Sequence, residues 1–328
     1  MSASALYLVA IIVPYLAFAA LMATLLVSRP LAALTLAIAA IAAILSVPSR
    51  WLLAAWIAAA AAVFVGSGSL LPLLVAACIL LLAFSTGARA VRALTLDAGI
   101  PTAEFAAFAI VLGLGALSMV TLGLGLLGML TPWPVLISLL AIAILGYGEL
   151  RALLSAALQR VRRSPTGRGH APRAVAILAV LLIVALVEVV APELQYDALS
   201  YHLGLPREYV AAAAIVDRPE QPQSYYYLGM DMDLLLAMFL SGQTAARLLS
   251  FAYVLVGAVA MYSCGADLFS RRAGAIAAAL YLATPMVGWE ATTTYVDGAA
   301  ATCGLLAAVA AIRARRDQSV RLAVLAGA

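Results

Sequence analysis

Apolar runs of membrane-crossing length recur along this chain, separated by short polar breaks. A helix needs about 20 apolar residues to cross the hydrocarbon core. On that measure spans are predicted near residues 5 to 27, 31 to 48, 51 to 66, 70 to 86, 103 to 130 and 133 to 147. A basic loop follows, "ELRALLSAALQRVRRSPTGRGHAPR", and then further spans near 174 to 190, 244 to 265, 273 to 288 and 297 to 312. The Gly-rich run from 103 to 130 reads as one tilted helix, a broken helix or two re-entrant pieces. The pattern predicts an all-α fold, a polytopic transmembrane helix bundle. Its parts are an N-terminal membrane region (1–147), a basic cytoplasmic loop (148–173) and a second membrane region (174–328), the last ending at "LAVLAGA" as if cut inside another span.

Arginine placement orients the bundle, because cytoplasmic loops collect basic residues. With the N-terminus inside, 15 of the 19 basic residues, all of them arginine, lie on the cytoplasmic side. Arg29, Arg207, Arg218 and Arg247 remain outside. The segment from 191 to 243 is then extracytoplasmic, the longest loop on that side and an acidic one.

Composition agrees with a membrane protein: 66% of residues are apolar and mean hydropathy is +1.10, against roughly 45–50% apolar for soluble domains. The first 30 residues lack a basic leader and carry a run of spanning length, so they read as a first helix, not a cleaved signal. Cys78, Cys264 and Cys303 sit in apolar runs without metal-ligand spacing and read as small core residues. A net charge of +4 reflects the cytoplasmic loops and gives no reason to expect nucleic-acid binding.

Ionisable chemistry gathers at the outer boundary. In "APELQYDALSYHLGLPREYV", Pro192 and Pro206 can each open a short helix along the membrane surface. The first would place Glu193, Asp197 and Tyr201 on one face while Leu194, Leu199 and Leu203 meet lipid. A partly desolvated carboxylate there can act as a general base; an ordinary solvated loop explains the same residues. His202 suits a metal ligand, a proton shuttle or a plain interfacial polar residue. Glu193, Asp197 and His202 could together take a divalent metal ion, although nothing requires one.

Further along, the tyrosines of "SYYYLG", Tyr226 among them, fit an aromatic belt. Asp231 and Asp233 are two apart and should diverge on a helix. Glu290 and Asp297 lie at the same outer boundary, where Asp297 would also serve as a helix cap. Arg247, Arg207, His202 and Tyr226 are the candidates to hold the substrate or its phosphate, although Arg247 could equally snorkel to lipid headgroups.

The order of "YDALSYH", "YYYLGMDMDLLLAMF", "ARLLSFAYVLVGAVAMYSCGADLFSRRAGAIAAALYLATP" and "TTTYVDGAAA" resembles the GT-C superfamily of membrane glycosyltransferases, such as protein O-mannosyltransferases and lipid A aminoarabinose transferases, over residues 174 to 316. Where that family often has two adjacent acids, Asp197 is followed by Ala198. The resemblance implies transfer of a sugar from a polyprenyl phosphate donor to a lipid, glycan or protein acceptor on the extracytoplasmic face of a bacterial-type inner membrane. It matches Asp197 to the base in the first outer loop and Asp297 to the acid of the later loop. Glu193 is the near substitute for the missing second acid. A multi-pass transporter or flippase is the rival expectation, and it would place ionisable residues at mid-span.

Overall fold

The computed structural model describes residues 49–95, 100–163, 173–226 and 229–328; the spans predicted near 5 to 27 and 31 to 48 lie outside them. Among the described residues all regular structure is helical. Helix α1 (Ser49–Gly66) and α2 (Leu70–Thr95) form on the expected apolar runs, α2 continuing past Arg89 and Arg92. Helix α3 (Thr102–Leu126) is one unbroken helix, which settles the three readings of its Gly-rich sequence. A Cβ on Gly113 would lie 1.7 Å from the Ala83 carbonyl oxygen, and one on Gly87 1.8 Å from that of Ala109. The backbones of α2 and α3 therefore touch, as small residues permit in membrane bundles.

Helix α4 (Pro132–Leu145) opens on a proline, and α5 (Tyr147–Arg163) follows after a 64° bend. The start of the basic segment is thus helical where a loop was expected. Its leucines at 150, 153 and 154 recur at helical spacing, and its first turn is held where Arg92 pairs with Glu149. Helix α6 (Arg173–Val190) ends before Pro192. Residues 192–195 are not helical, so the first surface helix does not begin at Pro192; a π-helical turn over Ala198–His202 replaces it, and Leu203 is fully buried instead of facing lipid. The second surface helix does form as α7 (Gly204–Ala212), with Pro206 in its first turn.

After a 3₁₀ turn at Pro222–Tyr225 comes α8 (Gly229–Ser241), with residues 231–237 all buried. At 13 residues it is too short to span, and its sequence reads as part of the outer loop. Helix α9 (Gln243–Leu268) is the most enclosed of the long helices. The run from 273 to 288 is not one span. It divides into α10 (Arg271–Ala283) and α11 (Pro285–Glu290), because Pro285 forces Thr284 into an extended conformation at ψ 121°. Helix α12 (Asp297–Asp317) and the short α13 (Val320–Gly327) complete the chain.

Among the described residues four helices, α2, α3, α9 and α12, are long and apolar enough to cross a membrane, or five spans if bent α4 and α5 count as one. Residues from both sides of the basic segment share one apolar core, among them Phe64, Leu117, Leu234 and Leu249. The long helices join two polar poles. At one, Glu104 is fully buried against Arg313, with Nε 2.7 Å from Oε1, and takes the Ser263 hydroxyl at 3.2 Å. Asp267 stands 3.3 Å from Arg313 and 2.8 Å from Arg316. This cluster fastens α3, α9 and α12 together at their arginine-rich ends. The other pole, where α9 and α12 begin and α6 ends, carries the acids singled out in the sequence.

Candidate active site

Pro192 stops α6 and turns the chain so that Glu193 points inward, its side chain 2% exposed. One oxygen, Oε1, accepts the backbone N–H groups of Leu194 at 3.0 Å and Gln195 at 3.1 Å. The other accepts the Thr293 hydroxyl at 3.1 Å and faces Arg247 Nε at 3.4 Å. Arg247 donates to the Thr292 carbonyl at 2.9 Å through Nε and to the Ala191 carbonyl through Nη1. The pair ties the end of α6, the start of α9 and the loop before α12 into one corner. Glu193 was expected among the catalytic acids and Arg247 at the carrier phosphate. In this arrangement their polar atoms are occupied by each other and by the backbone, as a buried ion pair requires.

Asp197 behaves differently. It is half-buried at the start of the π turn, and its carboxylate makes no ion pair among the described residues. Its backbone hydrogen-bonds the Tyr295 hydroxyl, and its charge raises the pKa of Tyr295, after burial itself. Tyr201 is raised by burial first, then by Asp197, Asp231, Tyr295 and Asp297. Asp197 and Asp297, a hundred residues apart, therefore bear on the same phenol. Asp297 is exposed in the first turn of α12.

Glu290 closes the group from α11. Burial pushes its carboxyl above the usual range and Asp297 adds to this, while the Gly298 backbone and His202 hold it down. His202 is buried with Nδ1 2.6 Å from Asp231 Oδ1. Its ring lies against Tyr201, with centroids 4.1 Å apart, and 5.9 Å from Tyr295, which in turn meets Trp289 edge-on at 4.9 Å. Asp233 diverges from Asp231 as expected and accepts the Tyr253 hydroxyl at 3.0 Å.

A cluster of carboxylates, an imidazole and three other aromatic rings can take a proton from a hydroxyl and stack a sugar ring. Sequence reasoning named Asp197, His202 and Asp297, which the fold gathers here, and Glu193, which it places in the adjoining ion pair. It missed the partnership of His202 with Asp231 and the parts of Tyr295 and Thr293, because these contacts join segments far apart in sequence. Arg207 is exposed and forms no ion pair among the described residues, whereas Arg218 pairs with Glu208. Tyr226 is 62% exposed.

The suggested metal set does not assemble. Among the described residues no three His, Cys, Asp or Glu side chains are grouped to hold a metal ion, and the oxygens of Glu193 are already engaged.

No curated protein and no solved structure matches the chain. Residues 231–328, which run from the His202 partner Asp231 through α8, α9 and α12, do match a family model, and that family is described as dolichyl-phosphate-mannose-protein mannosyltransferase. Over this third of its length the chain is similar to membrane glycosyltransferases of the GT-C kind, the kinship its motif order indicates.

Proposed function

We propose that the protein transfers a sugar from a polyprenyl phosphate carrier to a lipid, glycan or protein acceptor on the extracytoplasmic face of the membrane, with inversion at the anomeric carbon. The observation that carries the reading is the half-buried Asp197, whose carboxylate makes no ion pair among the described residues, beside Tyr201 and Tyr295 at the pole where Asp297 and Glu290 converge. The family match over residues 231–328 supports the reaction class.

Asp197 takes the proton of the acceptor hydroxyl as its oxygen bonds to the anomeric carbon. The carbon–phosphate oxygen bond breaks on the opposite side, and its electron pair leaves with the phosphate. An acid base at this position needs a geometry that brings it within hydrogen-bond reach of the hydroxyl. That Asp197 opens a π turn supports this role, since π-helical turns recur at functional sites. Arg207 is the exposed cation of this loop and the residue we assign to the leaving phosphate. Tyr226, exposed beside the 3₁₀ turn, is the aromatic residue we assign to the incoming carrier.

The test is transfer of radiolabel from polyprenyl phosphate sugars, mannose first and then other hexoses and pentoses, in membranes containing the full chain. Transfer to a membrane-bound acceptor above that of membranes lacking the protein supports the reading. No transfer from any donor contradicts it.

A further inference from the structure

We propose that Asp231 and His202 form a second proton acceptor of this site, one that receives the proton Asp197 takes from the acceptor hydroxyl. The proposal rests on the transfer reading and adds to it a residue that neither the motif order nor the family match assigns.

Asp197 and His202 are five residues apart. On an α-helix that spacing would turn the two side chains about 140° from one another. Here Leu203 N–H bonds back to the Ala198 carbonyl at 2.7 Å, the i to i+5 bond of a π turn. In such a turn residues five apart come round to nearly the same side. We infer from this backbone geometry that the imidazole lies on the side of the turn that carries the Asp197 carboxylate.

Asp231 then decides which nitrogen is available. A carboxylate only accepts, so the hydrogen in the 2.6 Å contact belongs to His202 Nδ1. The other nitrogen, Nε2, keeps its lone pair and makes no hydrogen bond among the described residues. Asp231 and His202 are both nearly enclosed, with side chains 5% and 6% exposed, so the tautomer and ring orientation are fixed by a partner with little competition from water. Around the ring stand Tyr201 on its own turn, Asp231 from α8, Tyr295 from the loop before α12 and Glu290 from α11, with Asp297 next to Glu290. Among the described residues no arginine is seen to join them, and Arg247 is held by Glu193 and the Thr292 carbonyl.

The step balances within the transfer reaction. The acceptor O–H bond breaks to Asp197 while the new bond to the anomeric carbon forms and the phosphate departs with the electrons of the old one. The proton passes from Asp197 to Nε2, giving an imidazolium opposite Asp231, and is then lost to water. Asp197 is left ionised for the next acceptor.

Transfer from radiolabelled polyprenyl phosphate mannose is measured in membranes at equal protein abundance. For His202→Ala we expect kcat to fall at least about tenfold, less than the 10²–10⁴-fold typical of a primary base, with KM for the donor near wild type. Added imidazole should restore part of that rate in proportion to its free-base concentration. Asp231→Asn keeps the shape but offers an amide that favours the other tautomer, so it should lose rate without responding to imidazole.

The chain has two histidines, so ¹⁵N-histidine in a His170→Gln background isolates the His202 ring. It should show Nδ1–H in the parent and Nε2–H after Asp231→Asn. A wild-type rate in His202→Ala, or a loss that imidazole never relieves in a protein of unchanged Tm, overturns the proposal alone. Absence of transfer by the wild type overturns the transfer reading and this proposal with it.

Discussion

The side chains that sequence reasoning grouped as one acidic set divide into two kinds of work. Glu193 and Arg247 hold the corner together, and removing one leaves the other charged and buried, a loss of about 3–5 kcal/mol for such pairs. Arg247→Ala should therefore lower Tm in detergent by several degrees; an unchanged Tm would place Arg247 at the substrate after all. Glu290 belongs to the acidic cluster. Its folded pKa is raised above the ordinary 4.5 by burial and then by Asp297, so stability present below 4.5 is lost as pH rises through the raised value. Glu290→Gln escapes that loss. Its Tm should exceed wild type at pH 8, with the gap closing toward pH 4, and a gap that widens on acidification contradicts the assignment.

Residue types were legible in the sequence here, and partners were not. The acid density of 191 to 210 pointed to Asp197 and His202, but Thr293 and Asp231 meet them only through the folding of α8 and the loop before α12.

Among the elements, apolar length located the long helices well and failed at two kinds of break. Pro285 cut a run that hydropathy alone reads as continuous, and α8 was hidden because a helix of 13 residues falls below spanning length. The glycines of α3 left three readings open, since sequence does not show what a glycine packs against. Contact between backbones decides it: Gly113 meets Ala83, whereas a Cβ added at Gly115 would meet nothing within 4 Å. Gly113→Ala should force α2 and α3 apart and destabilise by about 1–3 kcal/mol, the usual range for overpacking. Gly115→Ala serves as the control and should leave Tm near wild type. Equal Tm values for the two variants would refute the tight contact.

For the whole molecule, the bundle has one pole rich in arginine around Arg313 and Arg316 and an opposite pole rich in acids around Asp197 and Asp297. Such a polarity was readable from loop charges because basic residues resist crossing the membrane. In a background lacking the native cysteines, a cysteine replacing Gln221 should react with an impermeant maleimide in intact cells, and one replacing Thr166 should not. The reverse pattern would place the acidic pole in the cytoplasm. The central claim is that the acidic pole performs transfer with Asp197 as its base, and one comparison tests it most directly. Asp197→Asn preserves shape and most hydrogen bonding while removing the proton acceptor. At equal membrane abundance and unchanged Tm, its transfer from the polyprenyl phosphate sugar should fall by about 10²–10⁴-fold, more than Glu193→Gln or His202→Ala; near wild-type transfer by Asp197→Asn would contradict the account.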